Sequence, residues 1–404
     1  MKTFSPLSLS ALLLLIASCS VRQTADETAA ELSISSKVYT GSINSSAVFS
    51  SVRCVPLETN QDLLIDNAVK IVHRDSFIYV ADRFALYRFD EEGNSCGTVR
   101  RYGPGPEEYR GIADFEINAD QTVWILSRTD RALYRYTWDG ILEKTVRMDC
   151  WATKLYFVNP EKVCIYIGNE MDENNRHRLR TVDLRTNGTV ASHLEIDPGK
   201  ARYLHVHSHG HFSRIYGREH EMYFFDMFDD VIHQWSNDDL KPAFKMNINR
   251  KNIPPSFYDN DYGDVSVFFQ ALFKGDHAYG TDLFVEYGTD YLYSYFYGGE
   301  RRFALISKET REATHDFKTI AEDVVLSGYP VNLTEHACFI QQNNELILPL
   351  VPPDIAEYAK NHPDEETRNS ILQRIRYTDE DQNPVLLIVN RQSNRQSEVV
   401  VPKF

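Results

Sequence analysis

The sequence predicts an all-β fold, a six-bladed β-propeller of four-stranded antiparallel blades with a short helical insertion in the last blade. Three observations predict it. Strand-sized alternating segments recur along the chain, two stretches of them superpose at a nearly fixed spacing, and 23 Tyr and 22 Phe supply large side chains for packing sheet against sheet. We expect residues 37–404 to form this single domain.

The clearest repeat joins segments 77–93 and 123–140. Each contains an apolar strand, a second strand and a turn at a glycine, and equivalent residues are 45 to 47 positions apart. Repeats of about this length with four short strands apiece are typical of propeller blades. The middle strands of the other blades are expected in segments 162–184, 222–235, 291–306 and 345–389.

A propeller must close, because an open ring of sheets exposes unpaired strand edges. Segment 51–57 has no partner beside the first blade, so we expect it to pair with 385–389 and to join the two ends of the chain. An insertion, 353–384, interrupts the last blade. It is expected to be partly helical, because acidic residues 364–366 suit a helix start, and Ile371, Leu372 and Ile375 follow at helical spacing.

The first 18 residues predict a cleaved signal peptide. Their apolar stretch, 7–16, is about ten residues long, whereas a helix that crosses a bilayer needs roughly 20. Small residues precede Cys19 as in a lipobox, so Cys19 is expected to carry lipid; an ordinary signal with an incidental cysteine is the alternative. Residues 19–36 would form a flexible tether, and Ser20 after the cysteine favours the outer membrane, on either side.

Composition restricts the partners. A formal net charge of -15 at pH 7 repels phosphate backbones, which argues against nucleic acid. The five cysteines beyond Cys19 include no CxxC spacing and so indicate neither a zinc knuckle nor a full disulfide framework. Buried free thiols and a single bridge, for example Cys150 to Cys164, both remain open.

Two motifs carry a family resemblance. The run 55–59 (VPLET) and the loop 103–109 (GPGPEEY), followed by Asp114 and Phe115, resemble the six-bladed β-propeller lipoproteins of Bacteroidetes, although the loop here has one extra Glu. The resemblance implies the propeller fold, the lipid anchor and a place in the cell envelope, and it brings little chemistry. More distantly the chain resembles NHL-like propellers, a group that includes binding modules and enzymes.

A histidine cluster is the sharpest candidate site. His205, His207, His209 and His211 alternate, so in one extended strand all four imidazoles would share a face. Such a face could ligate a divalent metal in the central channel. Clustered histidines on a polar loop commonly bind nothing, however, and Gly210 indicates a turn that would break the shared face.

Four other residues are candidates for ligand binding. Arg101 and Arg110 flank the loop 103–109 and could attract an acidic ligand, or they could balance nearby carboxylates. Asp82 and Asp226 occupy the same repeat position, where they could bind a ligand or accept hydrogen bonds from neighbouring backbone. The loop itself could cradle an anion, but its two prolines and two glutamates favour a rigid turn.

The sequence contains neither GxSxG nor HExxH. We therefore predict an envelope lipoprotein that acts as a non-enzymatic scaffold for a peptide, glycan or protein partner. The alternative is a metal-dependent, lactonase- or lyase-like propeller enzyme with its site in the central channel. A role in glycan uptake is a third hypothesis, which the aromatic content permits.

Overall fold

The computed structural model describes residues 29–391 except 119, 174, 206–209, 216–217, 219, 334–338, 341–344 and 364–381. The described strands fall into six sheets, in which neighbouring strands along the chain pair antiparallel. The fold is therefore an all-β propeller with four-stranded antiparallel blades and few helices.

Five of the sheets are blades built from one continuous stretch of chain each. Three strands precede these blades along the chain: β1 (Ala30–Ile34), β2 (Tyr39–Asn44) and β3 (Ser51–Pro56). Blade I contains β4 (Lys70–Arg74), β5 (Phe77–Ala81), β6 (Leu86–Asp90) and β7 (Ser95–Val99); blade II contains β8 (Asp114–Ile117), β9 (Val123–Ser127), β10 (Ala132–Tyr136) and β11 (Leu142–Arg147); blade III contains β12 (Lys154–Asn159), β13 (Lys162–Tyr166), β14 (His177–Asp183) and β15 (Gly188–Glu195).

Blades IV and V are larger, because each gains a strand from the N-terminal segment. Blade IV contains β16 (Gly210–Arg214), β17 (Met222–Asp226), β18 (Val231–Ser236) and β19 (Asp239–Ile248), with β1 added; blade V contains β20 (Tyr279–Tyr287), β21 (Asp290–Tyr297), β22 (Glu300–Ser307) and β23 (Ala313–Glu322), with β2 and the short β24 (Tyr329–Asn332) added.

The sixth sheet, which we call the closing sheet, combines both ends of the chain. It contains β25 (Phe339–Ile340), β26 (Glu345–Leu350), β27 (Val385–Asn390) and β3. Antiparallel pairing of β27 with β3, from Val385 opposite Pro56 to Asn390 opposite Ser51, confirms the predicted closure. Continuous segments thus form five blades instead of the six predicted, and the remaining sheet is assembled from two distant segments.

Apolar packing between neighbouring sheets holds the ring together. Six buried clusters lie at successive junctions, from blades I and II around to the closing sheet and blade I. All five residues of β9 are buried. Trp124 packs towards Phe157 of blade III, whereas Ile125 packs towards blade I. Neighbouring blades cover both faces of such a strand, so all of its side chains can be apolar. Large aromatic side chains fill the space between the blades.

The N-terminal segment forms a strap across two blades. β1 pairs parallel with the outer strand β19, and β2 pairs parallel with β23. Both additions cover strand edges that would otherwise be unpaired. Because β1 begins at Ala30, the predicted flexible tether 19–36 is too long, and the structured chain starts inside it; residues 1–28 lie outside the described part.

Among the described residues, three helices of seven or more residues lie on one face of the ring, which we call the upper face. α2 (Pro198–Leu204) and α3 (Val265–Lys274) precede the innermost strands of blades IV and V, and α4 (Pro352–Asn361) joins β26 to β27; the short α1 (Ser45–Val48) lies after the strap. Successive strands of a blade alternate in direction. The connection that enters a blade at its innermost strand and the connection between its second and third strands therefore lie on the same face. α4 begins the predicted insertion 353–384, while residues 364–381 are outside the described part.

The sequence did not predict α3. Its N-terminus is capped by Asp264, whose side chain accepts a hydrogen bond from the backbone N–H of Ser266 at 2.6 Å, and Phe268 and Leu272 are buried at i, i+4 spacing. The signal was therefore present, but an aromatic run is also compatible with a strand. Within the described residues, every helix is too short or too polar to cross a bilayer.

Candidate functional site

Asp82 holds a turn together. Its Oδ1 accepts hydrogen bonds from the backbone N–H groups of Phe84 and Ala85, both at 2.7 Å, and the hydroxyl of Tyr87 donates to its Oδ2 at 3.1 Å. The side chain is buried, 1% exposed. These contacts saturate the carboxylate within the turn between β5 and β6, which favours the structural interpretation of this residue.

Asp226 occupies the equivalent turn of blade IV but belongs to a larger network. The Tyr166 hydroxyl donates to its Oδ2 at 2.7 Å, and the Arg178 guanidinium lies 3.7 Å from the same oxygen. Arg178 also pairs with Asp229, which in turn pairs with Lys200. Burial raises the pKa of the Asp229 carboxyl, but the two cations outweigh burial and hold that pKa far below its usual range.

This ion network borders a cavity of about 290 Å³ at the upper face, between blades IV and V. We call it the rim cavity. Its lining mixes charged and aromatic side chains from α2, the β17–β18 turn, the connection before β20 and blade V: Asp197, Lys200, Met227, Phe228, Asp229, Asp230, Lys245, Asn252, Ile253, Pro255, Tyr258, Ala278, Tyr279, Gly280 and Tyr293.

The charged groups of the cavity wall are engaged by the protein itself. Lys200 Nζ donates to the Phe228 carbonyl oxygen at 3.0 Å, pairs with Asp229, and lies 4.8 Å from the centre of the Tyr258 ring. The Tyr258 hydroxyl donates to the same carbonyl at 3.1 Å. These bonds fix Lys200 in the wall, where Lys245 also lies 3.9 Å from Asp230.

Two phenol hydroxyls of the cavity remain available. Those of Tyr279 and Tyr293 donate to no other residue within the described part of the chain, although Tyr293 is only 3% exposed. Burial raises the pKa of Tyr279 to about 12, so the phenol stays protonated at neutral pH. Gly280 makes room for the second hydroxyl, because a Cβ there would lie 2.5 Å from the Tyr293 oxygen.

Sequence reasoning found one member of this region, Asp226, and missed the others. Tyr166, Arg178, Lys200 and Asp229 come from three blades or connections that are far apart in sequence. Only the Asp-Pro-Gly helix start before Lys200 gave a local signal, since Asp197 caps α2. Nothing in a single sequence shows that these turns meet.

The loop 103–109 binds its own carboxylate. Glu108 accepts a hydrogen bond from the backbone N–H of Gly105 at 2.8 Å, and a Cβ at Gly103 or Gly105 would collide with this side chain. The glycines therefore make space for Glu108, and the position that an external anion could take in this loop is filled. The structure supports the rigid-turn interpretation.

The two candidate arginines beside this loop contact different residues of blade II. Arg101 donates from Nε to the Gly140 carbonyl oxygen of blade II at 2.7 Å. Arg110 pairs through Nε with Asp130 Oδ1 at 2.5 Å, and its backbone N–H donates to the other oxygen of Asp130. Both anchor the loop to blade II, and their exposed guanidinium groups do not converge on the rim cavity.

The described histidines of the cluster do not continue one strand. His205 ends α2 and contacts the Ala201 carbonyl oxygen through Nδ1 at 3.0 Å, whereas His211 lies in β16 with its ring stacked on Phe225 at 5.7 Å. The expectation of one extended strand across 205–211 is therefore wrong at His205, because helical backbone extends to that residue. His207 and His209 lie outside the described residues.

The central channel contains a second buried network, which we call the channel cluster: Lys70, Asp114, Glu116 and Arg214. Lys70 Nζ lies 3.0 Å from Asp114 Oδ1 and 2.9 Å from Glu116 Oε1, and Arg214 pairs with the other oxygen of Glu116. The cluster connects the innermost strands of blades I, II and IV. Its two cations and two carboxylates balance each other inside the ring.

The described residues include no group of three or more His, Cys, Asp or Glu side chains placed to hold a metal ion. Cys54, Cys96, Cys150 and Cys164 are free thiols. Burial raises the pKa of Cys150 to about 11, which leaves it protonated and unreactive at neutral pH.

Comparisons with solved structures support the fold. A structure from Bacteroides fragilis described as a "Putative exported protein" matches with a TM-score of 0.71 at 14% identity, over 89% of this chain and 100% of that one. A member of the DUF4221 family from Bacteroides vulgatus matches with a TM-score of 0.50 at 10% identity, over 85% and 96%. At these identities the likeness concerns the fold alone.

None of the curated proteins matches the sequence. A family model described as "Domain of unknown function (DUF4934)" matches residues 31–390. The match begins in β1 of the strap, covers all five blades and ends with the last residue of β27 in the closing sheet. The chain therefore belongs to the DUF4934 family.

Proposed function

We propose that this protein is an exported lipoprotein that binds a small ligand in the rim cavity without transforming it. The observation that carries the proposal is the combination of a cavity of about 290 Å³ with two unpaired phenol hydroxyls and walls fixed by internal ion pairs. Small-molecule sites are typically concave, largely apolar and equipped with a few placed polar groups.

The lining favours an uncharged ring-shaped ligand that accepts hydrogen bonds. Tyr258, Tyr279 and Tyr293 offer aromatic surface, and the last two offer donors. The cations of the wall are already paired with carboxylates, so a charged ligand would gain little from them. A sugar ring combines an apolar face with hydroxyl acceptors and has a suitable size.

Replacing Tyr293 with phenylalanine tests the site. Titration calorimetry with glucose, galactose, mannose and N-acetylglucosamine should detect binding of at least one of these sugars to the wild type. Loss of the Tyr293 hydroxyl should then weaken that binding about 5- to 30-fold, the value of one hydrogen bond of roughly 1–2 kcal/mol. The ring, and with it the packing of blade V, is kept.

Tyr295→Phe is the matched control, because this tyrosine lies two residues along β21 but donates to Asp316 at 2.7 Å, away from the cavity. It should leave sugar affinity unchanged. Absence of binding by all four sugars, an equal effect of the two substitutions, or chemical conversion of the bound sugar would each contradict the proposal.

The lipid anchor is part of the same proposal and is supported by the lipobox at Cys19. We expect Cys19→Ser, expressed in a Gram-negative host, to move the protein from the membrane fraction to the soluble fraction, because the acyl chains on Cys19 would provide the stable attachment. Cys96→Ser, which removes a free thiol elsewhere, should leave the fractionation unchanged. Membrane association of Cys19→Ser equal to that of the wild type would argue for an ordinary signal.

We further propose that the closing sheet acts as the sixth blade of the ring, as in the six-bladed lipoproteins that the motifs resemble. Its position supports this, because apolar clusters join it to blade V on one side and to blade I on the other. An outer-membrane location, inferred from Ser20, is also a proposal.

A further inference from the structure

A basic surface lies on blade II, away from the rim cavity. The turn between β9 and β10 presents Arg128 and Arg131, and the connection after β11 presents Trp151, which is 38% exposed. The guanidinium carbons of Arg128 and Arg131 lie 5.6 and 5.1 Å from the centre of the Trp151 ring. We call these residues, together with Arg110 and Arg147, the Arg–Trp surface.

The remaining two arginines extend this surface. The backbone N–H of Met148 donates to the Arg131 carbonyl oxygen at 2.8 Å, which places Arg147 beside Arg131. Arg110 pairs with Asp130 of the same turn, while its own side chain remains 57% exposed. Two arginines therefore contact one tryptophan, and Arg110 and Arg147 lie next to the same turn, on a protein whose net charge is -15.

Nearby carboxylates do not neutralise the surface. Asp130 is only 6% exposed and is held by Arg110, and Asp149, which is 74% exposed, pairs with Arg180 at 2.8 Å. Glu170 lies 3.9 Å from Arg128, and the two side chains are 40% and 50% exposed, so solvent screens the pair and it contributes little. Within the described residues, neither Arg131 nor Arg147 forms an ion pair with a carboxylate.

We propose that the Arg–Trp surface binds an acidic segment of a partner protein. Arginine and tryptophan are enriched among the residues that dominate protein interfaces, and guanidinium groups recognise carboxylates with two parallel hydrogen bonds. The residues lie on turns and not in a cavity, which suits a polypeptide better than a small sugar acid, since small-molecule sites are concave. Positive charge at this surface also attracts an acidic partner to it.

Immobilised poly-L-glutamate is a suitable probe, measured by interferometry against the full folded chain in 20 mM salt. The wild type should bind, and the double substitution of Arg128 and Arg131 to alanine should weaken binding at least tenfold. Trp151→Ala should weaken it as well. Replacing Arg128 and Arg131 with lysine should retain part of the affinity, because the positive charge remains while the bidentate geometry of the guanidinium group is lost. Binding should also decrease steeply between 20 and 300 mM salt, as expected for exposed charges.

Arg185→Ala is the matched control, because Arg185 is an exposed arginine on a turn of blade III, outside the surface. It should bind like the wild type, and thermal unfolding should show that all variants are folded. The proposal is overturned if poly-L-glutamate does not bind, or if Arg185→Ala weakens binding as much as the double substitution. Binding of polygalacturonate in place of polyglutamate would also overturn it and would assign the surface to acidic glycans.

Discussion

Replacing Glu116 with alanine is expected to lower the free energy of unfolding by about 3 kcal/mol, because it removes a buried carboxylate from Arg214 and one of two carboxylates from Lys70. Glu116 is buried in the channel cluster, where it pairs with Lys70 at 2.9 Å and with Arg214. Asp114 would still pair with Lys70, whereas Arg214 would lose its carboxylate. Urea unfolding followed by tryptophan fluorescence measures the effect.

The control for this substitution is Glu143→Ala. Glu143 pairs with Arg135 at 3.1 Å, but 39% of its side chain is exposed, and solvent screens such a pair. We expect a loss below about 1 kcal/mol there. Equal losses at the two positions would show that the channel cluster contributes no more than a surface ion pair.

The contribution of Glu116 should also depend on pH in a definite direction. Burial raises its pKa, but the charges of Arg214 and Lys70 outweigh burial and hold that pKa below the usual value. A carboxyl with a lowered pKa in the folded state stabilises the protein above its pKa in the unfolded chain, and this stabilisation is lost as the pH falls. The stability difference between wild type and Glu116→Gln should therefore shrink in acid, below the ordinary glutamate range.

Most of the fold could be predicted from sequence because propeller blades repeat. Tyr79 and Trp124 occupy equivalent strands, and the turns at Gly93 and Gly140 recur at the same spacing, so the unit is visible without a structure. The closure could be predicted as well, since β3 had no partner near it in sequence. The strap escaped prediction because its strands are short and pair with edges of blades IV and V that lie far along the chain, although β1 buries Leu32 and Ile34.

The candidate sites were much harder to predict. In the sequence, nothing distinguishes three charged residues of the channel cluster from solvent-exposed ones: Lys70, Glu116 and Arg214. They pair because the ring places the innermost strands of three blades side by side. Conversely, Asp82 and the loop 103–109 carry recognisable patterns, yet both serve turns whose hydrogen bonds are satisfied internally. These local sequence patterns predicted local structure. The ion networks of the rim cavity and the channel cluster depend on contacts between segments that are distant in sequence.

The two repeat glycines face different surroundings, although both have positive φ, 90° at Gly93 and 73° at Gly140. Gly93 abuts the closing sheet: the backbone N–H of Glu58 donates to its carbonyl oxygen at 2.8 Å, and a Cβ would collide with the Pro56 carbonyl. A Cβ at Gly140 would instead meet the Arg101 Nε at 2.8 Å. One neighbour is backbone that ends the closing strand β3, and the other is a flexible side chain.

Gly93→Ala should therefore destabilise the protein by about 3 kcal/mol or more, and Gly140→Ala by about 1–2 kcal/mol, measured by urea unfolding. Both substitutions incur the cost of positive φ for a residue with a Cβ, roughly 1–2 kcal/mol. Only Gly93→Ala also displaces the junction between blade I and the closing sheet, since Arg101 can move aside and Pro56 cannot without shifting β3. The two glycines have equivalent places in the repeat, similar backbone conformation and the same substitution. The difference between their losses of stability therefore measures the contribution of the junction between blade I and the closing sheet. Equal losses would mean that the junction at Pro56 yields easily and that the ring does not depend on it.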